Sequence, residues 1–233
     1  MHRHHHDHSN LLSEKEKKEI KEILSKKLVN KVSLVVILDY KNSEEASEIT
    51  EALLKEISKL NENLEIEFVD AYSNEGKELL EKYNLVFDKN QLGPIIFFKS
   101  KPNIVFLGFP LGMEFPVFLD TLEIISKNEV AINNNVAKNI AKVNSNLDVF
   151  IFVTATCPYC PLMTHPSTKF AFLNDKIRSI IVMSEMFSDL AQKHYVYAVP
   201  KTVIMKNSEV VEEFEGAIPE AAFAEKIKES SEN

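Results

Sequence analysis

The sequence predicts an α/β fold of two tandem domains, each a mixed sheet flanked by helices. Three observations carry this expectation. Strand-length apolar runs such as Val32 to Leu38 and Leu147 to Val153 alternate with helical patterns. The order helix, strand, helix, strand, helix, hairpin, helix occurs twice. Landmarks also keep register between the copies: Pro94 and Pro200 each open a hairpin, and Gly108 and Gly216 each stand seven residues before a phenylalanine, Phe115 and Phe223. A chain of 233 residues, 45% hydrophobic, is long enough to bury two such cores.

In the first copy, Ser13 to Leu28 reads as a helix, with Ile20, Ile23, Leu24 and Leu28 at amphipathic spacing and Glu16 completing a capping box on Ser13. Val32 to Leu38, bounded by Asn30 and Asp39, is a buried strand. Ser43 to Leu60 carries Ala46, Ile49, Leu53, Leu54 and Ile57 at helical intervals, with Ser43 as cap. Leu64 to Asp70 alternates apolar and acidic residues, a strand with one wet face, and Glu75 to Tyr83 is a short helix. Pro94 to Phe98 and Asn103 to Leu107 pair about the turn Ser100-Lys101-Pro102, and a helix from Glu114 to Lys127 closes the unit.

In the asparagine-rich stretch from Glu129 to Asn146 the first part reads as a linker, and Val136, Ile140 and Val143 are spaced to form one apolar helix stripe. The second copy follows: strand Leu147 to Val153, helix Cys157 to Leu173, strand Ile177 to Met183, helix Glu185 to Tyr195, a hairpin of Pro200 to Met205 and Glu209 to Phe214 around Lys206-Asn207-Ser208, and helix Pro219 to Lys228. The predicted domains are therefore 13–129 and 130–233. In each, the first two strands must run parallel because a helix crosses between them, while the hairpin strands are antiparallel. This is the mixed-sheet arrangement of the thioredoxin fold.

Composition narrows the function. The charge is −8, from 27 basic and 35 acidic residues, and all the basic residues except Arg3 and Arg178 are scattered lysines. No basic stripe exists for nucleic acid and no polybasic patch for a membrane. The apolar runs fall short of the ~20 residues of a membrane span. The N-terminus shows no apolar signal core, so a cytoplasmic protein is expected. Its histidine run, His2 and His4 to His6 with His8, reads as a tag or passive tail and is set aside.

Both cysteines lie in one tetrapeptide, Cys157-Pro158-Tyr159-Cys160, placed after a strand and at the start of a helix. In a reducing compartment such a pair points to redox chemistry. Backbone N–H groups at a helix N-terminus stabilise a thiolate, which makes Cys157 the predicted nucleophile. Cys160, three residues on, lies on the same face and resolves the mixed disulfide. Pro158 suits a first helical turn and Tyr159 partly covers the site. A closed zinc site needs four ligands, and outside the tail the chain adds only His165 and His194, so no metal or other cofactor is expected. The competing metal reading takes ligands, or an iron–sulfur cluster, from a second subunit. His165, before Pro166, reads as a non-catalytic surface residue at a kink.

The stretch Val149 to Cys160, the pair Val199-Pro200, and the marks Gly216-Ala217-Ile218-Pro219-Glu220 and Gly108-Phe109-Pro110 resemble the two-domain, glutaredoxin-like protein disulfide oxidoreductases. The resemblance covers residues 13 to 230. It implies two thioredoxin folds, cis prolines at Pro94 and Pro200, and protein disulfide or dithiol substrates; it points to a thermophilic source, whereas the asparagine-rich composition points away from one. The cis proline would leave the Val199 main chain facing outward to pair with an extended substrate beside Cys157. One departure is plain: many members carry a cysteine pair in both halves, whereas Ser43-Glu44-Glu45-Ala46 stands at the first position here. The first domain is therefore expected to be redox-inactive, with packing, homodimerisation or substrate holding as its roles.

The leading expectation is an enzyme, a thiol–disulfide oxidoreductase working through the single Cys157–Cys160 site. Its reductant would be thioredoxin reductase-like or of glutathione type. The alternatives are a substrate-binding or chaperone-like module and a metal-cluster carrier.

Overall fold

The computed structural model describes residues 10–233, so the histidine run lies outside the described residues. The first helix, α1 (Glu14–Lys27), starts at the predicted capping box: the Ser13 hydroxyl accepts from the Glu16 N–H, and the Glu16 carboxylate accepts from the Ser13 N–H at 2.8 Å. Strands β1 (Val32–Leu38) and β2 (Leu64–Asp70) flank α2 (Glu44–Ser58) in sequence and pair in parallel, Val32 opposite Leu64. After α3 (Asn74–Lys82), β3 (Ile95–Phe98) and β4 (Lys101–Leu107) form the hairpin, and a 3-10 turn (Gly112–Glu114) leads into α4 (Phe115–Lys127).

The stripe in the asparagine-rich segment forms α5 (Asn134–Ala141), burying Val136 and Ile140. The second copy then runs β5 (Leu147–Val153), α6 (Pro161–Leu173), β6 (Ile177–Met183), α7 (Ser188–Lys193), β7 (Lys201–Lys206), β8 (Glu209–Glu215) and α8 (Glu220–Glu232). Asn207 and Ser208 turn the last hairpin, both at positive φ, as a tight two-residue hairpin turn requires.

Both sheet halves are mixed, as expected, and they join. The strand order is β2-β1-β3-β4-β6-β5-β7-β8, one eight-stranded sheet in which β4 of the first half pairs in parallel with β6 of the second, Val105 opposite Ile180. Ile104 to Leu107 are fully buried, with helices over both faces and a strand on each side. The parallel and antiparallel pairings together make β1 and β5 run in the same direction. Their C-terminal ends, where the two candidate sites begin, therefore share one rim of the sheet.

Several boundaries differ from the sequence reading, each for a local reason. The first hairpin turns at Lys99-Ser100, and β4 begins at Lys101 and includes Pro102. The proline is tolerated because a register shift interrupts pairing at Phe97/Phe98 and the β4–β6 ladder starts only at Ile104. Helix α7 starts at Ser188 rather than Glu185, because the Glu185 carboxylate is drawn to the Ala155 N–H at 2.8 Å and Phe187 is buried. Among the described residues no helix is long and apolar enough to cross a membrane.

Candidate active site

Strand β5 ends at Val153, and the chain turns through Thr154 to Thr156 before reaching the cysteines. The Cys157 N–H donates to the Thr154 carbonyl at 3.3 Å, which closes that turn. Helix α6 starts later than the sequence implies. Cys160, not Cys157, is the flanking residue, and Pro161 occupies the first helical position, where an absent N–H costs nothing. Pro158 and Tyr159 thus lie in the turn before the helix, and both are exposed, Tyr159 at 65%.

Cys157 and Cys160 are joined by a disulfide with their Cα atoms 5.5 Å apart. The Cys160 N–H, at the open end of α6, donates to the Cys157 Sγ at 3.1 Å. Cys160 is fully buried, whereas Cys157 keeps 7% exposure, so a partner approaching the bridge reaches Cys157 first.

Both expected prolines follow cis bonds, Gly93–Pro94 and Val199–Pro200. In each half the glycine landmark ties back to that proline: the Gly108 N–H donates to the Pro94 carbonyl at 2.9 Å and the Gly216 N–H to the Pro200 carbonyl at 2.8 Å. Gly108 and Gly216 sit at φ +87° and +82°, which explains the shared glycine. Lys201 pairs with Phe152 across β5 and β7, so half-buried Val199 and buried Pro200 lie beside Val153 and Thr154, the approach to Cys157.

In the first half Ser43 stands before α2, but its hydroxyl does not cap the helix. It donates to the Gly93 carbonyl at 2.6 Å, and the Gln91 side chain donates to the same oxygen. The main-chain acceptor beside Pro94 is already occupied. The Val199 carbonyl carries no such side-chain donor among the described residues.

A buried ionisable residue beside the site that sequence reasoning missed is Glu114, supplied by the first half. Its side chain is fully buried and its Oε2 accepts from the Thr164 hydroxyl at 2.7 Å, one turn into α6 from Cys160. Its Oε1 has no partner. Burial, outweighing the Thr164 bond, pushes the carboxyl up to about 7. The Met113 N–H beside it donates to the Ala155 carbonyl at 2.9 Å. A Cβ on Gly112 would lie 2.2 Å from that same carbonyl oxygen, so glycine lets the two turns meet.

The histidines have other surroundings. His194 stacks against Phe150 and Phe152 at 5.5 and 5.3 Å between centroids. His165 Nε2 lies 3.4 Å from Asp120 Oδ2. Burial lowers the proton affinity of both, with Lys169 adding to the effect at His165 and Lys193 at His194. Pro166 is buried inside α6, a correction to the expected surface position. Among the described residues no three His, Cys, Asp or Glu side chains gather as a metal site.

No family model and no curated protein matches the chain. Solved structures do. A protein disulfide oxidoreductase from Aeropyrum pernix K1 is 23% identical, with 94% of each chain covered and a TM-score of 0.80. The NTD_N/C domain of alkylhydroperoxide reductase AhpF from Enterococcus faecalis is 23% identical over 93% of this chain and 99% of that one, with a TM-score of 0.76. Sso1120 from Sulfolobus solfataricus is 19% identical over 83% of this chain and 96% of its own, with a TM-score of 0.60. At these identities the likeness establishes the architecture: the chain has a thioredoxin-like α/β fold that spans nearly its whole length.

Proposed function

We propose that the protein is a thiol–disulfide oxidoreductase of protein substrates, working through Cys157 and Cys160. The observation that carries this is the Cys157 sulfur accepting the Cys160 N–H at the head of α6, in a bridge whose other sulfur is fully buried. In the reduced form an N–H aimed at Sγ favours the thiolate of Cys157, the form that attacks a disulfide and that leaves the mixed disulfide in the oxidising direction. Support for protein clients comes from the solved structure of a protein disulfide oxidoreductase with the same architecture.

In the reducing direction the Cys157 thiolate attacks one sulfur of a client disulfide. The client's other sulfur leaves as a thiolate, and the Cys157–client mixed disulfide forms. Cys160, after losing its proton, attacks Cys157 Sγ; the Cys157–client bond breaks, the client leaves as a second thiolate, and the Cys157–Cys160 bridge closes. The client gains two electrons and the protein loses two, to be restored by a thioredoxin reductase-like dithiol or by two glutathione-type thiols, which are oxidised to a disulfide in turn. The reverse sequence oxidises a client dithiol. The Val199 main chain beside Pro200 holds the extended client segment, while Pro158 and Tyr159 form the lip it passes. Residues 13–129 serve as a redox-inactive partner for 130–233, because Ser43 and Ala46 hold no sulfur.

The test is trapping. Cys160→Ser should accumulate mixed disulfides on Cys157 when mixed with a disulfide-bonded protein, and Cys157→Ser should accumulate none. Full disulfide-reductase activity in both variants would end the proposal.

A further inference from the structure

The turn from Leu111 to Phe115 belongs to the half without cysteines, yet it lies against the loop that carries Cys157. Two devices pin it there. The Met113 N–H donates to the Ala155 carbonyl, two residues before Cys157, and Glu114 accepts from Thr164, four residues after Cys160. Gly112, at φ +59°, allows the backbones to close onto each other. Within the turn, Glu114 is buried and Leu111 and Phe115 pack on the core. Met113 alone among its apolar residues is left in solvent, 43% exposed.

One exposed apolar side chain is ordinary. Here the segment that carries the bridge exposes apolar side chains of its own: Tyr159, between the two cysteines, is 65% exposed, and Leu162, two residues after Cys160, is 56% exposed. Leu162 continues into a groove of about 430 Å³ lined by Pro161, Pro166, Ala217 and Ile218, with His165 and Glu220 at its edge. Exposed apolar side chains on two backbones pinned to each other beside a disulfide mark a contact surface. Methionine suits such a surface because its unbranched, polarisable side chain adapts to different partners. A charged group that reaches the Cys157 loop, Glu185, is engaged by the Ala155 N–H.

We propose that Met113 is a specificity-determining residue of the Cys157 site, through which the cysteine-less half selects client disulfides flanked by apolar side chains. The inference rests on the redox reading above. It gives the first half a direct part in client choice.

The test uses three neutral substrates: a disulfide peptide flanked by leucine and phenylalanine, its counterpart flanked by serine and glycine, and hydroxyethyl disulfide. The wild-type chain should prefer the apolar peptide. Met113→Ser should raise its KM by about five- to tenfold, the scale of losing part of one buried methionine side chain, with kcat unchanged. Met113→Leu should retain the preference. Hydroxyethyl disulfide, too small to reach the rim, should be turned over at the wild-type rate by both variants, which also reports an intact fold. An unchanged peptide preference in Met113→Ser overturns the inference, as does an equal loss on all three substrates, because Met113 would then act only as a structural prop. A wild-type chain inactive on all three instead refutes the redox reading itself.

Discussion

Replacing Glu114 by glutamine keeps the side chain's shape and removes one titration. In the folded protein this carboxyl holds its proton until about pH 7 because it is buried with a single hydroxyl donor. In the unfolded chain the ordinary value is 4.5. The sign follows from the proton count: between these values the folded state binds more protons, so stability falls as pH rises. The contribution is fully present below the unfolded value and is lost as pH passes through the folded one. At about 1.4 kcal/mol per pH unit, the wild type should lose about 2.5 kcal/mol from this group between pH 5 and pH 8. The assay is urea unfolding of the oxidised wild-type and Glu114→Gln proteins at pH 5, 6, 7 and 8. The difference in unfolding free energy between them should change by about that amount, with wild type losing ground toward pH 8. His165 and His194, whose proton affinities burial lowers, tilt stability the opposite way in both proteins and cancel in the difference. Curves that stay parallel across the range would refute the assignment of a buried, late-titrating carboxyl.

Two further substitutions probe the contacts between the halves. Gly112→Ala places a methyl 2.2 Å from the Ala155 carbonyl at φ +59°, so the turn must shift; a loss of about 2 kcal/mol is expected in urea unfolding, with slower disulfide exchange. Arg178→Ala removes a paired contact to both Asp148 oxygens at 2.7 Å together with bonds to the Tyr83 and Asn84 carbonyls of the first half, and should cost about 2 kcal/mol by thermal or urea unfolding.

Where the chain's own neighbours decide the structure, the sequence was a good guide. Val32–Leu38, Leu64–Asp70, Leu147–Val153 and Ile177–Met183 form strands at the predicted limits, since a continuous or alternating apolar run between polar ends fixes both type and length. The cysteine pair was legible as a motif and the two hairpin prolines as a repeat. The start of α6 was not: Pro158 and Pro161 both suit a helix N-terminus, and only the turn closed onto Thr154 selects Pro161. Glu114 could not be singled out, because a lone glutamate at a helix start looks solvated until Thr164, fifty residues on, is seen to cover it. The fusion of the sheets did leave a trace. Ile104-Val105-Phe106-Leu107 is apolar at every position, which suits a strand covered on both faces and paired along both edges better than an outermost one.

That fusion constrains how the protein can be taken apart. Cutting the chain near residue 130 would not release two finished modules; it would bare the edges of β4 and β6, each a row of unpaired backbone groups between mostly apolar side chains. Such edges template association with any other exposed strand. The outermost strands of the intact sheet carry instead Glu65 and Glu67 on one side and Glu209, Glu212, Glu213 and Glu215 on the other, a charge fence against that stacking. The first half can therefore do without a cysteine pair far more easily than the second half can do without the first, which is its cover against aggregation.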